Sequence, residues 1–441
     1  MGLYDYTGNE LDIGVKTDKT LTIEGDAADA KIVGDLFNSL DVSPVEPKSN
    51  DIPELYISGT LPTSKDDGKV KVQVTYASKT SKFSEYATLK VQGNTSVNFP
   101  KKNFNITFFS DATCKTKSKH NFKGWGKQNK FTLKANWIDI THARNIVSAR
   151  LWTDVVKSRS DYQTLPSGLK QSPNLSVIDG FVVKVYANGV YQGRYTLNMP
   201  KDKWMFNMDD ELDTNAVLYS EGFKCLFKDE QQIAIDGTDW TDEIHEDVVP
   251  ASVVSKFNAF YNFAATATDA NFKANISNYV DLQSLIDYYI FGFVNCGYDS
   301  FGKNQVFLYY DNGVYYASVY DLDTTWGLYW NGESLLAYDY AESEYIIPRH
   351  GLYTRLKKLY PEQIKARYNE LRNGALSAAN IIHRFEEFCD IMPQELIEED
   401  YATTTANGEY VNIPSKNLTS LAQIRNYVAA RLDYVDSQIL V

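Results

Sequence analysis

The chain has 441 residues, a length typical of roughly two or three folding units of about 150 residues each. Its 44 Lys and Arg residues are outnumbered by 57 Asp and Glu residues, giving a formal net charge of −13. This balance argues against a general nucleic-acid binder and against a protein held on anionic lipid. The hydrophobic fraction of 43% and the charged fraction of 23% are those of a globular protein rather than a disordered one.

The sequence predicts neither a signal peptide nor a membrane span. No apolar run follows a basic start at the N-terminus, and the longest apolar stretches fall short of the ~20 residues that a spanning helix needs. We therefore expect a protein made in the cytoplasm and not inserted into a membrane. The cysteines lack the CxxC spacing of a zinc site, and they stand apart at Cys114, Cys225, Cys296 and Cys389.

The first 45 residues differ from the rest of the chain. Asp26 is the predicted N-cap of a short helix, and one apolar stripe at helical spacing consists of Ile32, Val33, Leu36, Phe37 and Leu40. A helix of about fifteen residues is not stable alone, so this stripe must dock on its own domain, on another copy or on an assembly. We interpret residues 1–45 as an anchoring and oligomerisation segment.

A proline-containing stretch, residues 43–53, marks the predicted boundary of the main domain, residues 53–395. Residues 396–441 are then a helical extension that packs on this domain. Strands are predicted by alternating apolar residues at 69–76, 87–91, 101–109 and 130–137, and hairpins by Asn188-Gly189 and Asn312-Gly313. Helical spacing predicts helices at 141–157 (capped by Thr141), 253–265, 282–294, 361–372, 378–389 and 418–440. Strands early and helices late predict an α+β fold.

The segment from residue 295 to residue 327 is the most informative for function. Asp299 is followed five residues later by Asn304, and the next hairpin ends at Asp321-Leu322-Asp323. Phosphoryl transfer needs a carboxylate that orients the attacking hydroxyl and oxygen ligands that hold Mg²⁺ against the phosphates. The Asp-x₄-Asn spacing matches that of a kinase catalytic loop. The alternative is an Asp299 that caps a turn, with both later carboxylates solvated at a strand end.

Two lysines are candidate phosphate ligands. Lys102 begins an apolar strand face with Phe104 and Ile106, and a lysine on such a face needs an anionic partner. It would need none if it lies at the strand start and extends its ammonium group into solvent. Lys134, on the polar face of the strand at 130–137, is the competing candidate.

Two further segments could contact a nucleotide. The loop containing Gly93, Asn94 and Ser96 could offer backbone N–H groups to phosphates, or it is an ordinary hairpin loop. Arg144, at a predicted helix start, could bind phosphate, or it pairs with Asp139 in a capping turn.

These residues belong to motifs that resemble the spore-coat protein H (CotH) family of atypical kinases, over residues 53 to 395 approximately. The motifs are Gln92–Ser96 with Pro100–Phe104, Leu133–Asp139 with Ala143–Asn145, Asn188–Tyr195, and Asp299–Asn304 with Tyr320–Asp323. The resemblance implies a divergent protein-kinase-like fold that binds ATP and Mg²⁺ and phosphorylates Ser or Thr. It also implies that Asp299 is catalytic and that Asn304 and Asp321 hold the metal, with Asp323 as the alternative to Asp321.

The chain departs from the family pattern in two places. Family members often have Trp where this chain has Tyr320, and they commonly carry a Glu just after the strand that ends near Leu197. Residues 197–203 contain no Glu, which leaves open which carboxylate supports a nucleotide-binding lysine.

The N-terminus carries a second resemblance. Residues 21–35 are similar to segments near the start of tail and baseplate proteins of phages that infect Gram-positive bacteria. The resemblance implies assembly into a virion, with other tail proteins as partners and self-association, often as trimers, through residues 1–45.

The first hypothesis is therefore a phage-tail structural protein that carries a CotH-type kinase-like domain. The alternatives are a free cytoplasmic kinase of CotH type and a pseudokinase that serves as a receptor-binding or spacer module. A glycosidase is disfavoured, because spacing singles out no pair of carboxylates.

Overall fold

The computed structural model describes residues 52–221, 227–229, 232–236, 239–245, 248–301, 303–310, 312–332, 336–341, 351–389, 396–400 and 420–440. All of them lie in one unit, residues 49–441. The predicted N-terminal helix and the segment with the phage-tail resemblance lie outside the described residues.

Alternating apolar residues in the first half of the chain build a closed barrel. The barrel strands are β1 (Glu54–Ser58), β2 (Val70–Ala77), β3 (Lys82–Gln92), β4 (Asn103–Phe109), β5 (Lys130–Lys134), β6 (Gly180–Ala187) and β7 (Val190–Asn198). They follow one another around the barrel in the order β1, β2, β3, β4, β5, β7, β6. Neighbouring strands are antiparallel, except that β1 and β6, which close the barrel, are parallel.

Strand register gives the barrel an apolar interior and a polar outer face. Leu89, Ile106 and Phe131 are consecutive cross-strand partners on β3, β4 and β5, and all three are buried. One residue along, the partners are Lys90, Asn105, Thr132 and Asn198. Because cross-strand partners share a face, this second row forms a polar surface on the outside of the barrel.

The part of the chain outside the barrel is mostly helical, with a smaller sheet. The sheet has the strand order β11, β10, β8, β9, with β8 (Ala216–Glu221), β9 (Thr241–Asp242), β10 (Asn304–Tyr309) and β11 (Tyr315–Ser318). The helices are α1 (Arg144–Lys157), α2 (Ser167–Gln171), α3 (Lys203–Phe206), α4 (Ala251–Thr266), α5 (Asp269–Asn275), α6 (Leu282–Asn295), α7 (Gly351–Leu359), α8 (Pro361–Arg372), α9 (Ala378–Cys389) and α10 (Leu421–Ile439). This arrangement confirms the predicted α+β class. Among the described helices, none is both long enough and apolar enough to cross a membrane.

Several predicted boundaries were wrong: the strand predicted at 87–91 begins at residue 82, and the helix predicted at 418–440 begins at residue 421. Three further differences lie close to the candidate site residues. Helix α1 begins at Arg144 rather than Thr141, because the Thr141 hydroxyl donates to Asp139 Oδ1 at 2.6 Å instead of capping the helix. The strand predicted at 130–137 ends at Lys134, two residues before Asn136 takes a φ of 47°. The strand predicted at 101–109 begins at residue 103.

Helix α6 is the central helix of the second half, with most of its residues buried. Asp281 caps its start by accepting from the N–H of Ser284 at 2.7 Å, and Cys296 ends it with a left-handed φ of 52°. At Gly292, a Cβ would lie 1.6 Å from the ring of Phe301. The missing side chain thus lets the segment after α6, which contains Asp299, fold back against the helix.

A buried carboxylate joins the C-terminal part of the chain to the barrel. Asp400 accepts hydrogen bonds from His142 Nε2 and from the backbone N–H of Arg194, both at 3.0 Å, and it lies 3.6 Å from Lys101 Nζ. A Cβ at Gly193 would lie 2.4 Å from Asp400 Oδ1, so glycine makes room for this contact. Burial would raise the pKa of Asp400, but the charge of Lys101, the His142 hydrogen bond and the charge of Arg194 hold it far below its usual range.

The free energy of unfolding is expected to fall as the pH drops from about 6.5 to about 4. Burial lowers the pKa of His142 from 6.5 to about 4, so in this window the unfolded chain takes up a proton that the folded chain excludes. Urea unfolding across this pH range measures the effect. The matched variant His142→Gln should show a flatter profile, and an equally steep profile in both proteins would contradict this assignment.

Candidate functional site

Asn304, which follows Asp299 by five residues in the chain, contacts the second carboxylate segment, residues 321–323. Its Nδ2 donates to Asp321 Oδ2 at 3.3 Å, and the Tyr219 hydroxyl donates to its Oδ1 at 3.1 Å. Asp299 lies in the turn after α6, where its Oδ1 is 2.8 Å from Lys303 Nζ and 32% of its side chain is exposed. Asp299 is therefore within reach of a ligand, while Asn304 and Asp321 form a hydrogen-bonded pair.

The loop that carries Asp321 and Asp323 is held by the first turns of α1. Asn145 Oδ1 accepts from the N–H of Leu322 at 3.0 Å, and Ser148 Oγ accepts from Trp326 Nε1 at 2.9 Å. Asp321 itself adopts a left-handed φ of 58°. Asp is among the non-glycine residues that adopt this conformation most readily, so the residue type suits the turn at this position.

The site is electrostatically crowded. Burial, opposed by the charge of Lys134 and reinforced by that of Asp299, raises the pKa of Asp321. Burial, then Asp321 and then Asp299, raises the pKa of Asp323 well above its usual range. Three carboxylates thus repel one another at the edge of the protein interior, where a cation lowers the free energy of their charged forms.

This donor set fits a divalent cation of the Mg²⁺ type. Carboxylate and amide oxygens are the ligands that Mg²⁺ prefers, usually one or two carboxylates together with substrate phosphates and water. Across the described ranges, no group of three or more His, Cys, Asp or Glu side chains is placed to hold a metal ion. A cation here would depend on Asn304, on Asp321 or Asp323, and on oxygens that a ligand brings.

A cleft of about 450 Å³ runs from Asp321 along the polar outer face of the barrel. Its lining includes Thr132, Lys134 and Asn198 from β5 and β7, Asn145 from α1, and Tyr320. The barrel therefore forms one wall of the cleft, and the carboxylate loop lies at one end of it.

Lys201 is the cation that the cleft holds most firmly. Its Nζ lies 3.0 Å from Glu243 Oε1, 3.4 Å from the ring centre of Tyr219 and 4.5 Å from that of Tyr320. An ammonium group over two aromatic rings is stabilised by their π-electrons. Its side chain is 14% exposed and lines the cleft, and its positive charge, like that of Lys134, opposes the rise that burial causes in the pKa of Asp321.

The two predicted lysines lie in different places. Lys134 lines the cleft beside Asp321. Lys102 Nζ donates to the carbonyl oxygens of Val97 and Phe99, both at 2.7 Å, and so closes the turn that precedes β4.

The other predicted nucleotide ligands also make contacts within the protein. In the loop after β3, Gly93 has a φ of 116°, and Ser96 Oγ accepts from Asn103 at 3.1 Å; Asn94 precedes the short 3₁₀ turn at 95–98. Arg144 is fully buried, with Nη1 2.7 Å from Asp139 Oδ1 and Nη2 2.6 Å from the Gln423 side-chain oxygen. Arg144 therefore pairs with Asp139, as the capping-turn alternative predicted. Its Nε also donates to the carbonyl oxygen of Thr325 at 3.1 Å, which supports the carboxylate loop.

Sequence reasoning missed Lys201, Glu243, Tyr219 and Asn145. Asn145 lies in the CotH-like motif Ala143–Asn145. Lys201 lies in residues 197–203, which lack the Glu that family members commonly carry. The carboxylate partner of Lys201 is Glu243, which follows β9 some forty residues later in the chain. No spacing rule connects these two residues, because the pairing of β8 with β9 is what brings Glu243 close to Lys201.

Comparison with known families identifies the family of this chain. The family described as CotH kinase protein matches residues 89–435, well over half of the chain, and the chain belongs to that family. The match includes every candidate site residue discussed above and most of α10. A search of curated proteins found no match. The predicted domain boundaries at residues 45, 53 and 395 stay predictions.

The variant Asp323→Asn is expected to raise the melting temperature by a few degrees without divalent cations. A carboxyl group with a raised pKa in the folded state destabilises it at neutral pH, and the amide removes that charge. Calorimetry in the presence of EDTA measures the shift. Asp433→Asn on the exposed side of α10 is the control and should leave the melting temperature unchanged. A lower melting temperature for Asp323→Asn would argue against carboxylate repulsion.

Proposed function

We propose that this chain is an ATP- and Mg²⁺-dependent protein Ser/Thr kinase of CotH type, with a divergent protein-kinase-like fold. The observation that carries the proposal is the contact between Asn304 and Asp321, with the charge of Asp299 acting on Asp321, at one end of a lysine-lined cleft. Family membership supports it. The position of the cleft also supports it. The barrel forms one wall of the cleft, and the mostly helical part of the chain carries Asp299, Asn304 and Asp321, as expected of a two-part kinase-like fold.

The proposed roles follow from position and charge. Asn304 and Asp321 would hold Mg²⁺, with Asp323 as the alternative carboxylate. When bound, the metal neutralises charge on the phosphates of ATP. Lys134 and Lys201 line the same cleft and would contact those phosphates. Because Lys201 is held by Glu243 and two tyrosine rings, it needs little reorganisation to do so.

Asp299 is the residue best placed to meet an acceptor hydroxyl. It is partly exposed, and its pairing with Lys303 is between side chains that solvent reaches. Its carboxylate would accept a hydrogen bond from the Ser or Thr hydroxyl, orienting the oxygen and drawing off its proton.

Mg-ATP is expected to raise the melting temperature of the wild-type protein and not that of Asp321→Ala. A ligand that binds only the folded state stabilises it by mass action. Differential scanning fluorimetry with Mg-ATP, Mg²⁺ alone and ATP alone measures the shift, and Asp433→Ala is the matched control, expected to behave as wild type. Equal shifts in the wild type and Asp321→Ala would remove Asp321 from the nucleotide site.

The variant Asp299→Asn is expected to keep the Mg-ATP shift and to lose phosphoryl transfer by about 10²-fold or more. Incorporation of radiolabelled phosphate into bacterial proteins measures transfer. Retained transfer in Asp299→Asn would exclude Asp299 as the group that activates the hydroxyl.

The virion assignment stays a prediction from residues 21–35 alone, which the CotH match does not include. The double variant Leu36→Asp, Leu40→Asp in the full chain tests it. If residues 1–45 mediate self-association, light scattering should show an oligomer for the wild type and a monomer for the variant. A wild-type monomer would contradict the predicted trimer.

A further inference from the structure

The ammonium group of Lys303 is close to both halves of the candidate site. Its Nζ lies 2.8 Å from Asp299 Oδ1, and the next residue, Asn304, donates to Asp321 Oδ2 at 3.3 Å. Burial raises the pKa of Asp321, and the charge of Lys303 is among those that oppose the rise. Lys303 is therefore paired with the carboxylate proposed to meet the acceptor, and its charge also acts on the carboxylate proposed to hold the metal.

The backbone that carries this ion pair is fixed, whereas its two side chains reach solvent. The N–H of Asn304 donates to the carbonyl oxygen of Ser300 at 3.0 Å, and the side chain of Phe301 is buried. The side chains of Asp299 and Lys303 are 32% and 28% exposed. Ion pairs that solvent reaches contribute little to stability. An anion of higher charge can therefore replace the Asp299 carboxylate as the partner of Lys303 while the backbone stays in place.

The proposed function brings two negative groups together at this point. The phosphoryl group has to pass from a nucleotide held at Asp321 to a hydroxyl held at Asp299, and its oxygens repel the Asp299 carboxylate. The lysines proposed to contact the phosphates of ATP, Lys134 and Lys201, line the cleft. Lys303 is not part of that lining but is paired with Asp299. It is thus the cation placed to relieve the repulsion on the acceptor side.

We infer that Lys303 is a further catalytic residue, whose ammonium group moves from Asp299 to the oxygens of the transferred phosphoryl group when ATP binds. This inference rests on the proposed function, since it assigns one more role within the same site. The exchange frees Asp299 Oδ1 to accept the hydrogen bond of the Ser or Thr hydroxyl. Nucleotide binding therefore prepares the acceptor position.

The transfer step then needs no group beyond those already named. The hydroxyl oxygen forms a bond to the γ-phosphorus of ATP, and the hydroxyl proton passes to Asp299. The bond between the γ-phosphorus and the bridging oxygen breaks, and its electron pair leaves with ADP. Lys303 stabilises the negative charge on the three phosphoryl oxygens while they pass between the two oxygens in line.

Binding of ADP with aluminium fluoride tests the inference without an acceptor protein. Aluminium fluoride takes the place of the transferred phosphoryl group, so its contribution is the further rise in melting temperature when it is added to Mg-ADP. The test variants are Lys303→Met, which removes the charge, and Lys303→Arg, which keeps it. Lys273→Met, at an exposed position on α5, is the matched control. Incorporation of radiolabelled phosphate into bacterial proteins is measured in parallel.

Aluminium fluoride should raise the melting temperature of the wild type and of Lys273→Met by several degrees beyond that with Mg-ADP. Lys303→Met should keep the unliganded melting temperature and the Mg-ADP shift, lose most of the further rise, and transfer phosphate about 10²-fold more slowly. Lys303→Arg should restore part of both losses.

Three results would overturn the inference. They are the absence of a further rise in the wild type, an equal further rise in the wild type and Lys303→Met, and loss of the Mg-ADP shift itself in Lys303→Met. Failure of the proposed function gives a different result, because neither Mg-ADP nor Mg-ATP would then shift the melting temperature of the wild type. That result would reject the kinase and the role of Lys303 together.

Discussion

The site depends on carboxylates that are held close together although their charges repel. Asp321 and Asp323 lie on a short loop, separated by Leu322, and the charge of Asp299 acts on both. Left to itself, such a loop would open towards solvent and separate the charges. It is kept in place by Asn145 and Ser148 of α1, and the left-handed backbone of Asp321 is part of what that support maintains.

Contacts from several parts of the structure hold these carboxylates in place. The buried Arg144 connects Asp139, the carbonyl of Thr325 and Gln423 of α10, so the base of the carboxylate loop is tied to the C-terminal helix. Gly292 lets the segment of Asp299 fold against α6. On the far side of the cleft, the barrel contributes lysines whose positive charge opposes that of the carboxylates. A cation and an anionic ligand between these two surfaces would complement both of them.

The sequence predicted what local chemistry determines. The turn at Asn188-Gly189 has the left-handed φ values of 50° and 81° that this dipeptide favours, and helix spacing located α6 to within a residue or two. It also singled out Asp299, Asn304 and Asp321 because their order matches the parts that phosphoryl transfer requires. It could not choose between Lys102 and Lys134, because the choice depends on tertiary contacts: Lys102 donates to carbonyl oxygens of the turn before β4, whereas Lys134 lines the cleft.

The parts that local patterns could not predict depend on long-range pairing. Glu243 reaches Lys201 only because β9 pairs with β8, and Asp400 reaches His142 and Arg194 from more than two hundred residues away in the chain. Asp400 is buried although it ends a run of three acidic residues, Glu398 to Asp400, and such runs usually lie in solvent. A run of acidic residues predicts only that its side chains are exposed on average. A single carboxylate in the run can be buried when cationic and hydrogen-bonding partners surround it, as His142, Arg194 and Lys101 surround Asp400.

The most direct test of this account is an electron paramagnetic resonance titration with Mn²⁺ in place of Mg²⁺. The signal of free Mn²⁺ falls as the ion binds, so the titration counts sites without requiring catalysis. The account predicts that the wild-type chain binds Mn²⁺, that ATP tightens this binding, and that Asp321→Asn abolishes it. An undiminished Mn²⁺ signal with the wild type, in the presence and in the absence of ATP, would contradict the claim that the crowded carboxylates form a metal–nucleotide site.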